Sequence, residues 1–309
     1  MSQVAETILM VRPAAFAFNK ETSENNFFQN KTAISSSAIQ AKALVEFDAM
    51  VAGLRKEEID VLVIEDSPTP QKPDAIFPNN WFNTTAEGVL NIFPMYAKNR
   101  REEKRDDILK LIANNYFIHQ FFDWTEYEAE AKYLEGTGSL VIDHKNKFVY
   151  ACTSPRTHPG VVEKFAAANG YKAITFTAVD NEGREIYHTN VMMSIGEGFA
   201  VLCPKAISDD TERIAVAQLL ETTGHENIYL GQDQLEYFTG NLLQVKNKKG
   251  RSFIVLSQTA LNAFTDDQKE RLQQYGKLLP FNVATIEKVS GGSVRCMMAE
   301  IFLTSKKKL

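Results

Sequence analysis

The chain has 309 residues, 44% apolar and 24% charged, a composition that excludes a disordered or fibrous protein. Its 34 basic residues are outnumbered by 39 acidic ones, and a net charge of −5 without a basic stripe argues against nucleic-acid binding. No apolar run approaches the ~18 residues that span a bilayer, and the N-terminus lacks a secretory pattern. The three cysteines, Cys152, Cys203 and Cys296, are too few for a disulfide framework and too far apart in sequence for a zinc site. They suit a reducing, cytoplasmic setting.

In chain order, residues 7–11 read as a short apolar strand. Residues 19–29 are polar and aperiodic, and read as a loop, either one that covers a site or an ordinary surface loop. Residues 81–83 and 88–93 pair as a hairpin, less cleanly than later ones, and residues 101–114 have a helical pattern. A second hairpin, 138–143 with 148–152, leads to a helix over 160–169 and a strand over 173–178. A third, 191–195 with 199–203, leads to a helix over 209–223. A fourth, 242–245 with 252–256, leads to a helix over 266–275 and a strand over 278–286. Residues 297–303 form a last strand. Residues 304–309, with Lys306, Lys307 and Lys308, read as a flexible, solvated tail.

Length alone would suggest two domains. The hairpins say otherwise. The residues that open them, Asn80, Glu135, His188, Asn241 and Cys296, are separated by 55, 53, 53 and 55 residues. A fixed period of this size signals stacked or radial modules. The last module stops after one strand, and residues 7–11 can complete it, which removes an unpaired edge. The expected fold is α/β, a single domain over residues 1–309 made of five strand-strand-helix-strand modules in a ring. An open α/β sheet with evenly spaced hairpins is the alternative.

In a ring the five opening residues converge. Cys, His and Glu are the parts of a thiol-nucleophile site. Cys296 follows Ser290-Gly-Gly-Ser293, which leaves the backbone open to a ligand. Cys152 and Cys203 lie in apolar strands and are expected to be inert. His188, just before a strand, would by itself read as a structural histidine. His119, His144, His158 and His225 have no motif around them, and Asn241 has no assigned role.

Five motifs occur in order: Phe-x-x-Asn at 77–80, Glu-Gly-x-Gly at 135–138, Ser-x-Arg-Thr at 154–157, His-x-Asn at 188–190 and Gly-Gly-x-x-x-Cys at 291–296. Together they resemble the guanidine-group-modifying superfamily of arginine deiminases, dimethylarginine dimethylaminohydrolases, agmatine deiminases and amidinotransferases. The resemblance covers residues 11–301. It implies a five-bladed, pentein-like α/β propeller with a central site, no cofactor and no metal, acting on a small amino-acid substrate. A homodimer through the outer face is compatible with that architecture, and no membrane or nucleic-acid partner is expected.

The resemblance also implies roles. Cys296 matches the nucleophile, His188 the catalytic histidine, and Glu135 the carboxylate that meets the guanidine nitrogens. Pro73-Asp-Ala-Ile-Phe77 matches a substrate-binding loop of the dimethylarginine hydrolases, which assigns Asp74 to the substrate amino group and includes Phe77. Arg156 matches an arginine that binds the substrate carboxylate. Arg100 looks like its partner; Arg101 in that role, or a solvated arginine at a helix start, are the alternatives. Paired guanidinium forks suit a carboxylate.

Two departures bear on the substrate. Where deiminases have Asp, this chain has Asn80 and Asn190. A carboxylate only accepts hydrogen bonds, whereas an amide both donates and accepts. The amides therefore suit a neutral ureido group better than a guanidinium, which points to citrulline. The opening Met10-Val-Arg-Pro-Ala-Ala-Phe-Ala-Phe-Asn19 is also similar to a bacterial branch concerned with citrulline utilisation. The expected activity is cysteine-dependent hydrolysis of citrulline to ornithine, ammonia and carbon dioxide. Hydrolysis of arginine or methylarginine, amidino transfer, and a non-catalytic amino-acid-binding module are the alternatives.

Overall fold

The structure is a computed structural model that describes residues 2–306. Five three-stranded sheets repeat one pattern. Two antiparallel strands are followed by a helix and by a third strand parallel to the second. The first module has strands Phe82–Thr84, Val89–Ile92 and Gln120–Asp123, with helix Asp106–Asn115 before the last strand. The second has Val141–Asp143, Phe148–Thr153 and Lys172–Thr177, with helix Pro159–Ala168. The third has Met193–Ile195, Phe199–Leu202 and Glu226–Tyr229, with helix Asp210–Thr222. The fourth has Leu243–Lys246, Ser252–Ser257 and Lys277–Phe281, with helices Gln258–Ala263 and Asp266–Gln273. The fifth joins the two ends of the chain. Ala299–Ile301 pairs antiparallel with Thr7–Arg12, which runs parallel to Asp60–Glu65 beyond helix Ser36–Lys56.

The five sheets stay separate and do not merge into one closed sheet. Apolar clusters join neighbours instead, because each middle strand is covered on both faces. Side chains alternate across a strand. Along Phe148–Thr153, Val149 and Ala151 point into a cluster shared with the first module, while Tyr150 and Cys152 point into one shared with the third. Along Ser252–Ser257, Ile254 and Leu256 face the third module, and Phe253 and Val255 face the fifth. In Thr7–Arg12, Ile8 and Met10 face the fourth module, and Leu9 and Val11 face the first. Each such side chain stabilises the fold by roughly 1.5–3 kcal/mol when fully buried. Cys152 and Cys203 belong to this packing, where burial pushes their thiols up to about 12 and about 11. A thiol held that high carries no nucleophilic thiolate at neutral pH.

Several elements differ from the sequence-based expectation. Helix Ser36–Lys56 and strand Asp60–Glu65 were not expected. Ser35 caps the helix, and Ile39, Ala43, Phe47, Met50 and Leu54 bury one stripe of it. The strand expected over 278–286 ends at Phe281, and Ala284–Ser290 is helical. Glu46 accepts from the free N–H groups of Thr285 (2.8 Å) and Ile286 (3.0 Å), a cap from a distant helix that no local pattern reveals. The helix expected over 101–114 starts at Asp106, after a 3-10 turn over Lys98–Glu103. Gly138 and Ser139, expected in a strand, belong to the short helix Gly136–Ser139. Phe117 N donates to Thr304 O (2.9 Å) and Lys306 Nζ to Ala113 O (2.7 Å), which ties residues 304–306 to the first module. Lys307, Lys308 and Leu309, also assigned to the tail, lie outside the described residues. Among the described residues, no helix is long and apolar enough to cross a membrane.

Candidate active site

A tight turn leads into each module, and the five turns carry the five evenly spaced residues. Asn80 closes the 3-10 turn Pro78–Asn80, Glu135 precedes helix Gly136–Ser139, and His188 precedes the 3-10 turn Thr189–Val191. Asn241 N donates to Phe238 O (2.9 Å), and Cys296 N to Ser293 O (3.0 Å). The turns are bonded to one another. Asn79 Nδ2 donates to Thr137 Oγ1 (3.3 Å), Thr189 Oγ1 to Ser139 O (2.5 Å), Asn241 Nδ2 to Asn190 O (3.3 Å), and Arg295 N to Asn241 Oδ1 (3.0 Å). This network brings Asn80, Glu135, His188, Asn241 and Cys296 together, all of them buried.

His188 Nε2 lies 2.8 Å from Glu135 Oε2. A carboxylate only accepts, so Nε2 carries the proton and Nδ1 keeps its lone pair. Glu135 Oε1 accepts from Tyr96 N (3.0 Å), and Arg156 Nη1 and Arg100 Nη1 lie 3.5 Å and 3.8 Å from Oε2. Burial works against the Glu135 charge, yet Arg156, His188 and Arg100 together hold the carboxyl below the usual carboxylate range. Burial lowers His188 to about 4 against the pull of Glu135, so the imidazole is neutral at pH 7. With both oxygens engaged, Glu135 is the partner of the imidazole.

Two amides point at the nucleophile candidate. Asn241 Nδ2 is 3.3 Å and Asn190 Nδ2 is 3.5 Å from Cys296 Sγ. Asn190 Nδ2 also donates to Thr137 O (3.3 Å), which leaves Asn190 Oδ1 buried and unpartnered. Asn80 is oriented the other way. Arg100 Nη1 donates to its Oδ1 (3.0 Å), and since arginine cannot accept, Nδ2 is the atom left unpartnered. One amide therefore offers a free donor and the other a free acceptor. Gly138 allows this close approach: a Cβ there would lie 2.5 Å from Asn80 Nδ2 and 2.7 Å from His188 Nδ1.

A cavity of about 20 Å³ adjoins the sulfur. Asp74, Phe77, Asn80, Arg100, Arg156, His188 and Cys296 line it. Of the predicted site residues, only Glu135 and Asn190 do not; Glu135 is hydrogen-bonded to His188, and Asn190 touches Cys296 Sγ. Arg100 is buried and pairs with Glu103 through two bonds of 2.9 Å, with Asp74 at 3.8 Å. Arg101 instead bonds Met95 O and Glu128 and does not line the cavity. Glu103 was not predicted; its i,i+3 spacing from Arg100 was the available signal.

Residues 19–29 cover the cavity. Asn19 Nδ2 donates to Asp74 Oδ2 (2.7 Å). Arg156 donates from Nε to Asn25 Oδ1 (2.7 Å) and from Nη2 to Thr22 O (2.9 Å). Asn26 Nδ2 donates to Ser290 O (2.8 Å). Gly291 has φ +67°, and a Cβ on it would lie 2.5 Å from Asn26 Oδ1. Tyr187 braces the same region, with its ring 4.8 Å from the Arg156 guanidinium and its hydroxyl donating to Gly291 O (2.8 Å). About 20 Å³ accommodates a water molecule but not an amino acid, so these residues must move for a substrate to enter. Among the described residues, no group of three or more His, Cys, Asp or Glu could hold a metal ion.

Residues 12–303 match the family described as N,N dimethylarginine dimethylhydrolase, eukaryotic. No curated protein is similar to the chain in sequence. Among solved structures, the chain is similar to ArgZ, described as an arginine dihydrolase from the ornithine-ammonia cycle in cyanobacteria. The TM-score is 0.73 at 16% identity, over 95% of this chain and 40% of that one. The chain thus spans less than half of full-length ArgZ. Against the N-terminal domain of ArgZ bound to substrate, the TM-score is 0.70 at 15% identity, over 95% of this chain and 97% of that domain. A cysteine-to-serine variant of DDAH from Pseudomonas aeruginosa, complexed with citrulline, gives a TM-score of 0.65 at 14% identity, over 96% of this chain and all of that one. At such identities the likeness establishes a shared α/β fold. The family match spans the turns that carry the buried residues and every residue named as lining the cavity, and the chain belongs to the N,N-dimethylarginine dimethylhydrolase family.

Proposed function

We propose that the protein is a cysteine-dependent hydrolase of ureido amino acids that converts citrulline to ornithine, ammonia and carbon dioxide. The five modules are read as blades of a five-bladed α/β propeller with the site at its centre. The observation that carries the substrate assignment is Asn80. Arg100 holds its Oδ1, which leaves a buried amide donor, Nδ2, without a partner on a residue that lines the cavity. A ureido C=O accepts from that donor, whereas a guanidinium would present only N–H groups to it. Asn190 does not line the cavity, so its unpartnered Oδ1 carries no part of this assignment.

In this mechanism Cys296 Sγ attacks the ureido carbon as a thiolate, and His188 Nδ1 takes the thiol proton. Asn80 Nδ2 stabilises the charge that develops on the ureido oxygen. His188 then gives its proton to the δ-nitrogen, the C–N bond breaks, and ornithine leaves. The product on the enzyme is a carbamoyl thioester of Cys296. Water attacks its carbon, His188 accepts the water proton, and the C–S bond breaks. Carbamate is released and falls apart to ammonia and carbon dioxide. Glu135 stabilises the imidazolium and fixes its tautomer. Asp74 and Arg156 hold the amino-acid head, and Arg100 positions Asn80.

The likeness to ArgZ favours a second reading, in which arginine is the substrate. Separate incubations with citrulline, arginine and dimethylarginine decide between them, with ornithine, citrulline and ammonia followed. Ornithine from citrulline supports the proposal. Citrulline formed from arginine, with citrulline itself untouched, would sink it.

A further inference from the structure

We infer that Asn19, Thr22 and Asn25 act as built-in surrogates of an amino-acid head group, and that they make the site select substrates with both a free ammonium and a free carboxylate. The inference deepens the proposed function and rests on Asp74 and Arg156 as the head-group partners. Its basis is the polarity of the covering contacts. Asp74 receives a donor, the amide of Asn19. Arg156 receives two acceptors, Thr22 O and Asn25 Oδ1. An α-amino acid presents the same pattern, N–H donors at one end and two oxygens at the other.

The surrogates are neutral, and the groups they imitate are charged. Each surrogate contact has one charged member, and a charged head group adds the attraction of a second charge of opposite sign. A zwitterionic head therefore replaces every surrogate contact with a stronger one. A ligand with only one of the two charges displaces the covering residues yet leaves the Asp74 oxygen vacated by Asn19, or the Arg156 N–H groups vacated by Thr22 and Asn25, without a hydrogen-bond partner, which is costly. Both partners are positioned to enforce this, at 3% and 2% exposure. Asp74 Oδ1 is unpartnered even in the covered state, and burial drives its carboxyl up despite Arg100. The surrogates also set affinity. Apparent binding is weakened by the fraction of molecules whose site is uncovered, so weaker surrogates mean tighter substrate binding.

The opposite possibility is that these residues bind the substrate directly, and the signs of the effects separate the two. In the intact protein, Asn19→Ala removes the surrogate donor and Asn25→Ala removes one of the two surrogate acceptors. Iodoacetamide labelling of Cys296, mapped by peptide mass, is expected to speed up about tenfold in each, and KM for citrulline to fall about tenfold, the effect of one ~1.4 kcal/mol contact. Asn25→Asp puts a charged acceptor on Arg156 and is expected to slow labelling and raise KM. Norvaline should protect Cys296 of the unaltered protein, while pentanoate and butylamine at the same concentration should not. A raised KM in the alanine variants with unchanged labelling would overturn the inference, as would equal protection by the singly charged compounds. Labelling and protection need no turnover, so they test the surrogates even if citrulline proves not to be the substrate.

Discussion

The proposed reacting end of the site and its proposed head-group end are built by opposite means. At the reacting end, Glu135, His188, Asn190, Asn241 and Cys296 sit on turns hydrogen-bonded to one another, and the bonds come from four separate modules. Nothing there can shift without disturbing a neighbour. At the head-group end, Asp74 and Arg156 are held by residues 19–25 through contacts whose loop partners are neutral and replaceable. Reaction rate benefits from groups already in position, because no reorganisation is needed in the transition state. Entry needs the reverse, a closed state that a suitable ligand can displace. The site separates the two demands in space.

Substitutions at the reacting end should lower the rate and leave access to the sulfur alone. Cys296→Ser has the largest expected effect, loss of turnover and of any covalent adduct, read by intact mass after rapid quenching with citrulline. Next is Glu135→Gln, which removes the charge that stabilises the imidazolium. We expect kcat to fall about 10³-fold with little change in KM or in the labelling rate of Cys296. A matching loss of labelling would show that Glu135 instead holds the turn of Cys296 in place. Asn80→Asp exchanges the free donor for an acceptor beside Arg100, and citrulline turnover should fall about 10²-fold, the loss typical of one donor to a developing oxyanion. Unchanged turnover would break the account of the amides.

The smallest effect concerns stability. His188 is held at about 4 when folded and lies near 6.5 when unfolded. The folded value is the lower, so the unfolded chain binds the extra proton between these limits. Stability from this group is therefore complete above pH 6.5 and is lost as pH falls toward 4. His144, pushed down to about 3 by burial, acts in the same direction. Between pH 7 and 5 the unfolding free energy should fall, and His188→Gln should reduce that fall by about 2 kcal/mol, measured by urea denaturation at both pH values. An identical slope in the variant would mean that burial leaves the imidazole unshifted, and a steeper fall would mean that it is already charged and paired with Glu135 as an ion pair.

Much of this was legible in the sequence, and the reasons are specific. Middle strands covered on both faces must be apolar at consecutive positions, as Phe148–Thr153 and Ser252–Ser257 are, so hairpins stand out. A repeated module fixes the spacing of its entry turns, which is why Asn80, Glu135, His188, Asn241 and Cys296 could be placed together. Helix Ser36–Lys56 was missed as a pattern, although the fifth module needs a helix at that place. The helix Ala284–Ser290 could not be found locally, since Glu46 caps it from elsewhere in the chain. The bond between Glu135 and His188 could not be read either, because a carboxylate near a histidine is indistinguishable, in sequence, from a carboxylate near a substrate.

By itself the sequence determined the repeat, the pairing of the first strand with the last, and which residue types meet at the site. Those properties follow from period and hydrophobicity, which are local. The tertiary structure alone decided how each polar group is used. Asn80 and Asn190 are the same residue type, yet Arg100 turns one so that its donor is free, and Thr137 turns the other so that its acceptor is free. A side-chain amide has no preferred direction until its partners are in place, and those partners come from different modules.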